Sequence, residues 1–515
     1  MSKLLSRRRF GGLAVTALAM PTDAAGERMV KIPASGGDFD DVAIQRALDR
    51  GATTVLLTST AYRISTTIVV RAGQTLAAKG ATISAAQSPT GQLRDIGTHV
   101  AMTDFCVLRD VHIVVEAGDA SFVANRTSSV IRMEGSGSRI ERTKVTVRPG
   151  RTATYSPVAI TVWGVGVVDN VIQDCHFTGC GLYYSFGSAQ RTIVRRCVFL
   201  RAPQNALTGL CTVTSLAAEG HVIDGNTILY PGRMGIEDFS RIQDVPAKVI
   251  RGSHIVNNRI VSEATGRPMP EYFAISAVGL DSVIEGNCIE NWPTAFCIEV
   301  GGGRGALIRR NQCLWTDGNP NRVVAVQVQE PEYSGRQLVH VTANRFVRPF
   351  KALQSRGQAV LFSDNVVTDP IRSIVDYDRP AGTAMIYDNI VTVDSSRPPD
   401  VADRILFFVP GRTDMRRNRI TYRANALALT HDYGIFAGGD GSIFDGNSFT
   451  VDGRAVPGTG VIALSTNGMR PTGVRVSGTR SKGPVRADYS NMPGLQEPVA
   501  NQWSGGVIGK ARLGR

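Results

Sequence analysis

Ile223-Asp224-Gly225-Asn226-Thr227-Ile228, Ile284-Glu285-Gly286-Asn287-Cys288-Ile289 and Phe444-Asp445-Gly446-Asn447-Ser448-Phe449 share one pattern: an apolar residue, two variable positions, an asparagine, one variable position and another apolar residue. Other copies centre on Asn258, Asn311, Asn344, Asn365, Asn389 and Asn418, so the asparagines from Asn226 to Asn447 follow one another at intervals of 32, 29, 24, 33, 21, 24, 29 and 29 residues. Periods of roughly twenty to thirty residues mark a solenoid in which each repeat is one coil. Degenerate copies with Cys197, Cys175, Thr143 and Val111 at the asparagine place, such as Val194-Arg195-Arg196-Cys197-Val198-Phe199 and Leu108-Arg109-Asp110-Val111-His112-Ile113, raise the count to thirteen coils. Each interval also holds a second alternating stretch, for example Val158-Ala159-Ile160-Thr161-Val162-Trp163, Phe296-Cys297-Ile298-Glu299-Val300 or Val324-Ala325-Val326-Gln327-Val328-Gln329. Alternation at period two with β-branched residues is the signal of a strand with one face in a core. Helical spacing is nearly absent.

Several short strands per coil, joined by Gly, Asn and Asp turns, suit an all-β single-stranded parallel β-helix better than a leucine-rich or helical repeat. Variable coil length argues against a propeller. Asparagine suits the bend because it tolerates left-handed backbone angles, and asparagines stacked one above another can pair their amides along the solenoid. The apolar end face of a solenoid must be covered. Asp38-Phe39-Asp40-Asp41-Val42-Ala43-Ile44-Gln45-Arg46-Ala47-Leu48-Asp49-Arg50-Gly51 supplies a capping helix over 40–50, with acidic residues at its start, Ile44, Ala47 and Leu48 on one face and Gly51 as its stop. Val55-Leu56-Leu57, Tyr62-Arg63-Ile64, Ile68-Val69-Val70 and Gln74-Thr75-Leu76 read as the first strands. The chain thus divides into an export segment at 1–26, an N-terminal cap at 27–60, the β-helix at 61–480 and a C-terminal tail or cap at 481–515, where the pattern fades into Gly, Pro and Ser.

Composition agrees with a folded chain. The 515 residues are 43% apolar and 20% charged, with 54 glycines and 24 prolines, which excludes a disordered or collagen-like polymer. No apolar run approaches the eighteen or so residues of a membrane-spanning helix, so no membrane span is expected. Of the net charge of +13, Lys3, Arg7, Arg8 and Arg9 against Asp23 account for +3, leaving +10 on the chain after residue 26. Such a balance favours an acidic partner through an attraction that weakens with salt. The basic residues are scattered and form no long block, so a nucleic-acid partner is not expected. Eight cysteines are too few for a disulfide scaffold, and none forms a Cys-x-x-Cys pair, so zinc is not indicated. Cys175 and Cys197 hold equivalent places in neighbouring coils, where strands about 4.8 Å apart permit a bridge, with buried thiols as the alternative. No cofactor is expected. Calcium is compatible with the chemistry, but Gly301-Gly302-Gly303-Arg304-Gly305 and Gly438-Gly439-Asp440-Gly441 neither open a helix nor repeat at a nine-residue period.

Ser6-Arg7-Arg8-Arg9-Phe10, the mildly apolar stretch from Gly11 to Met20 and the small residues around Thr22 to Gly26 resemble a twin-arginine export signal, which implies a periplasmic or secreted protein. Asp40-Asp41-Val42-Ala43-Ile44-Gln45-Arg46-Ala47-Leu48, followed by Tyr62-Arg63-Ile64 and Leu76-Ala77-Ala78-Lys79-Gly80-Ala81-Thr82-Ile83, resembles the N-terminal signature of the pectate-lyase and family-28-glycosidase-related β-helix superfamily. This likeness spans about Met29 to Arg480. Export signal and repeats together also resemble a group of twin-arginine-translocated repeat proteins of unassigned function. The superfamily resemblance implies a right-handed parallel β-helix that binds or cleaves polysaccharide along a groove on one sheet. Its catalytic strings are missing: there is no Asn-Thr-Asp, Asp-Asp or Gly-His-Gly series of the polygalacturonase kind, no Arg-x-Pro-x-x-Arg and no Asp-Pro-His-Asp, and Asp40-Asp41 lies in the cap helix. Site residues therefore have to be argued from position.

Aligned by distance from each preceding asparagine, Ile236, Ile275, Phe296 with Ile298, and Val326 point inward. Their neighbours Glu237, Ser276, Glu299 and Gln327 then form a solvent-facing row on four consecutive coils, with Gln354 and Asp376 beyond. Two carboxylates two coils apart lie roughly 9–10 Å apart at the backbone. Inverting glycosidases hold their acid and base about 6.5–9.5 Å apart. Glu237 and Glu299 are thus the catalytic candidates, and the alternative is a solvated acidic face paired with arginines. Ser276 and Gln327 between and beyond them are candidates for binding substrate. Trp163, Tyr183 and Tyr272 offer flat surfaces for sugar rings, and Arg132 offers a cation for an anionic polymer. Asp238, next to Glu237, is turned inward by strict alternation. The expected activity is hydrolysis of an acidic polysaccharide by a monomer using this carboxylate pair. One alternative is β-elimination on a uronate polymer, for which Tyr183, Tyr184, Arg132 and Arg241 are suitable residue types. The other is a non-catalytic carbohydrate-binding or envelope-associated protein.

Overall fold

Every repeat delivers three short strands, and each pairs in parallel with its equivalent one repeat later. In the first sheet, formed by strands that precede the asparagine, Val222–Asp224 pairs with His254–Val256, which pairs with Val283–Glu285. In the second, Thr227–Leu229, Arg259–Val261 and Cys288–Glu290 do the same just after it. In the third, Ile236–Phe239 pairs with Phe273–Ala277 and that with Phe296–Gly302. The result is a right-handed parallel β-helix. This computed structural model describes residues 28–37, 39–85, 98–116, 129–148, 158–212, 216–239, 250–262, 273–302, 305–316, 318–319, 321–331, 337–378, 383–394, 404–423, 432–436, 438–452, 461–465, 470–492, 495 and 501–508. The export segment at 1–26 lies outside them. Among the described residues the three sheets hold 17, 16 and 17 strands, with one helix. Four strands of the first sheet, Met29–Ile32, Thr54–Leu57, Thr75–Ala78 and Arg475–Ser477, lie beyond the thirteen coils marked by the sequence pattern. Within 481–515, Val485–Asp488 and Val507–Ile508 continue the third sheet.

The core follows from the alternation. The central residue of each three-residue strand points inward, so Ile223, Ile255, Ile284 and Ile308 stack in the first sheet and Ile228, Ile260, Ile289 and Phe346 in the second, all with 0% exposure. Helix Asp41–Asp49 covers the N-terminal end with Ile44, Ala47 and Leu48. No disulfide joins any of the eight cysteines, so Cys175 and Cys197 are buried thiols. No helix among the described residues is long and apolar enough to cross a membrane.

The asparagines form a continuous internal ladder. The side-chain amide of Asn226 donates to Oδ1 of Asn258 at 2.9 Å, Asn258 to Asn287 at 3.0 Å and Asn287 to Asn311 at 2.9 Å, and the series runs on to Asn447. Each Oδ1 also accepts the backbone N–H of the preceding rung, and each second amide hydrogen reaches a carbonyl one coil back, as from Asn258 to Ile223 at 2.8 Å. Interior members therefore use both hydrogens and both lone pairs. Cys197 enters the ladder through its N–H on Asn226, and at the far end the N–H of Thr479 donates to Asn501.

One expectation is corrected here. The left-handed residue of the turn is the one before each asparagine: Gly225 (φ 63°), Asn257 (54°), Gly286 (68°), Arg310 (57°), Ala343 (56°), Asp364 (57°), Asp388 (57°), Arg417 (55°) and Gly446 (63°). The ladder asparagines do not occupy that conformation, because their side chains must face inward while the left-handed residue faces solvent. Outside, this position is braced between coils by two-pronged ion pairs: Arg417 on Asp388, Arg196 on Asp174 and Arg142 on Asp110.

Replacing a central rung leaves several buried partners unmade, each costing about 1–3 kcal/mol. Asn311→Leu is expected to lower the unfolding free energy by about 3–5 kcal/mol in urea titration, whereas Arg345→Ala on the outside of the next coil changes it by less than about 1 kcal/mol. Equal effects would show that the ladder contributes nothing special.

Candidate functional site

The register of the third sheet settles which expected residues meet. Glu237 pairs with Ser276, Ser276 with Glu299, Glu299 with Gln327, Gln327 with Gln354 and Gln354 with Asp376. The row extends backward from Glu237 through Thr208, Tyr183 and Thr161 to Arg132. Tyr183 is thus two rungs from Glu237. Arg132 is four rungs away and pairs with Glu134 at 2.5 Å, so it lies well removed from the two glutamates. Trp163 stacks on Phe186 with ring centroids 4.7 Å apart, and Tyr183 meets the same Phe186 edge-on at 5.7 Å. Tyr272 and Arg241 lie outside the described residues.

The row is recessed, contrary to the expected solvent-facing one. Its side chains point away from the core, yet Glu237 is 8% exposed, Ser276 2%, Glu299 7% and Gln327 0%. They are covered by neighbouring residues rather than open to solvent. The Asn205 amide donates to Oε2 of Glu237, and the Arg233 guanidinium stands 3.8 Å from its Oε1. Glu299 accepts the Ser276 hydroxyl at 2.7 Å on Oε2 and the Gln329 amide on Oε1. Oε1 of Gln327 is buried without a hydrogen-bond partner among the described residues. Farther along, Lys351 reaches Asp376 at 2.9 Å with both side chains under a tenth exposed, and Gln354 donates to Asp378 at 2.9 Å.

Several of these residues escape a reading of the sequence. Asn205 and Arg233 precede their strands in turns, and only the folded coil carries them to Glu237. Phe273 and Phe296, three residues before Ser276 and Glu299, stack with centroids 5.6 Å apart and planes 1° from parallel. Equal spacing from the row was the available signal for that pair. Phe296 was expected inward, but it and Phe273 are only partly buried.

Next to Glu237, Asp238 points into the solenoid with 0% exposure, as alternation requires. It accepts the Tyr184 hydroxyl at 3.1 Å, and the same hydroxyl lies 3.3 Å from the Glu237 carbonyl. Burial pushes the Asp238 carboxyl up to about 6 and the Tyr184 hydroxyl well above its ordinary range. Burial also holds His221 down to about 3 and His99 to about 4. No group of three or more His, Cys, Asp or Glu among the described residues is arranged to hold a metal ion.

No family model and no curated protein matches the chain. Among solved structures it is similar to the catalytic unit of a GH87 α-1,3-glucanase from Streptomyces thermodiastaticus, at 15% identity and a TM-score of 0.42 over 84% of this chain and 69% of that one. It is also similar to a GH136 lacto-N-biosidase from Eubacterium ramulus, at 9% identity and a TM-score of 0.37 over 76% and 67%. A third is a tailspike protein of E. coli bacteriophage HK620 in complex with a pentasaccharide, at 13% identity and a TM-score of 0.39 over 84% and 75%. Likeness at this level carries no chemistry across.

The buried histidines give a prediction with a definite sign. Their folded values lie below the ordinary one of about 6.5, so the unfolded chain takes up protons that the fold refuses, and stability falls as pH drops from about 6.5 towards 4. His99→Leu is expected to flatten that loss by several degrees in thermal midpoints measured from pH 7 to 4. An unchanged slope would contradict the neutral, buried state of His99.

Proposed function

We propose that this protein is an exported enzyme that hydrolyses an acidic polysaccharide lying along the third sheet, with Glu237 and Glu299 as its base and acid. The observation that carries the reading is the register, which sets two recessed carboxylates two rungs apart on one sheet with Ser276 between them. A backbone separation of about 9–10 Å, with some leaning of the side chains, falls in the range of inverting glycosidases. Glu237, with the Arg233 guanidinium 3.8 Å from its Oε1, takes the base role in this reading. Glu299, which accepts hydrogen bonds from Ser276 and Gln329, takes the acid role in this reading. In the reaction, water adds to the anomeric carbon as its bond to the leaving oxygen breaks. Glu237 takes a proton from the water and Glu299 gives one to the leaving oxygen.

The rest of the row supports a chain of sugars. The Phe273 and Phe296 pair supplies an aromatic surface beside the glutamates, and Tyr183 with Trp163 and Phe186 supplies another towards the N-terminal end. The net positive charge of the chain favours an anionic polymer. The paired arginines near the N-terminus support export to the periplasm or beyond, and the protein acts as a monomer.

The test incubates purified protein with acidic and neutral polysaccharides while reducing ends and the ultraviolet absorbance of unsaturated sugars are followed. Reducing ends without absorbance are expected; absorbance would mean elimination, and binding without product would mean a carbohydrate-binding module. Glu237→Gln and Glu299→Gln should each lower kcat by roughly 10²–10⁴-fold. On an aryl glycoside with a good leaving group, which needs little protonation, Glu299→Gln should recover most of its loss and Glu237→Gln none. Full activity in both variants would remove the assignment.

A further inference from the structure

At the bend from the third sheet to the first, the residue that precedes each first-sheet strand is polar over six successive coils: Ser138, Asn170, Thr192, His221, Ser253 and Ser282, each at most 1% exposed. The column begins fully bonded. Ser138 donates its N–H to Asn170 at 2.8 Å and its hydroxyl to the Thr103 carbonyl at 2.6 Å, and the Asn170 amide donates to Gly135 at 3.0 Å. From Thr192 onward this ceases. Thr192 Oγ1, both ring nitrogens of His221, Ser253 Oγ and Ser282 Oγ have no hydrogen-bond partner among the described residues, and neither has Oδ2 of Asp238, which enters the same interior from the third sheet. Ser253 lies close enough to Asp238 to ease its ionisation, but not in hydrogen-bonding geometry.

The unsatisfied stretch coincides with coils of the Glu237 row. Thr192 follows the strand of Tyr183, His221 that of Thr208, Ser253 that of Glu237 and Ser282 that of Ser276. Tyr184 ties interior to row: its ring lies against His221 at 5.2 Å, and its hydroxyl spans two coils to Asp238 and the Glu237 carbonyl. Gly209 makes that reach feasible, since a Cβ there would stand 2.5 Å from the Tyr184 ring. So many orphaned donors and acceptors side by side are unfavourable unless something bridges them. Water fits the set. It both donates and accepts, as a carboxylate, a neutral imidazole and hydroxyls together require, whereas a cation would leave the imidazole N–H unmet.

We propose that this corner is a buried water-binding site bridging Asp238, His221 and Ser253, and that Asp238 and Tyr184 are positioning residues which fix the strand segment bearing Glu237. The second half rests on the reading of Glu237 as the catalytic base; the first half does not. The groups against Asp238 are Glu237 on its own strand, Tyr184 two coils before and Ser253 across the bend; His221 precedes Ser253 by one coil in the column and packs on the Tyr184 ring.

The water site is tested by a crystal structure of the protein at a resolution that shows ordered solvent. Waters are expected about 2.6–3.2 Å from Asp238 Oδ2 and a His221 nitrogen. A dry corner, or protein groups bonded to both, would overturn it. The positioning role is tested by Tyr184→Phe and Asp238→Asn, singly and together, on the cleaved polysaccharide. Each should lower kcat roughly tenfold with KM changed less than twofold, and the double variant should be no worse than the worse single one. Losses that multiply, or an unchanged kcat, would refute it. If Asp238→Asn does not fold, Tyr184→Phe alone decides through the same split of kcat from KM. Should no polysaccharide be cleaved by the wild type, the reading of Glu237 fails and the positioning role with it, while the crystal still decides the water site.

Discussion

The amide ladder is the constraint on which the rest of the structure depends. A parallel solenoid has no hairpin turns to set its register, and its short strands contribute only two or three backbone hydrogen bonds each. The asparagine supplies what is missing. Its side chain fits only when the oxygen of the next rung lies directly above and a carbonyl of the coil below lies within reach, so a coil displaced by one residue would orphan four hydrogen-bonding positions at once. Coil length is then free to vary, because the intervals between rungs are taken up in loops rather than in the stacked bends.

The polar row sits on that stacked frame. With Asn226 to Asn344 stacked, the third-sheet strands of these coils pair in register, and period-two alternation sends Glu237, Ser276, Glu299 and Gln327 to one face. The same alternation sends Asp238 inward, an unfavourable place for a carboxyl. The structure answers with a tyrosine hydroxyl from two coils away and a glycine to let it pass. A residue dictated by geometry on one face thus has its chemistry set on the other.

The repeat, the three-strand coil and the row of polar residues were legible because they rest on local periodicity, which a single sequence displays. The left-handed residue was misplaced by one position, since composition shows that asparagine tolerates such angles but not that Arg310 and Arg417 adopt them while the asparagine faces inward. Recession of the row was illegible for a different reason: alternation reports which way a side chain points, not what stands over it. Asn205, Arg233 and Gln329 reach the glutamates from turns and neighbouring strands, and only the closed coil relates those segments. Of the aromatic candidates, Tyr183 joined the row by register, whereas the Phe273 and Phe296 stack passed unnoticed because phenylalanine in a strand ordinarily reads as core.

The most direct measurement is a crystal structure of the Glu299→Gln variant with a bound oligosaccharide of the cleaved polymer. The account predicts a glycosidic oxygen within hydrogen-bonding reach of residue 299, with Glu237 facing the opposite side of the same sugar ring across room for a water. A chain bound on another sheet, or the two side chains turned to different sugars, would contradict it.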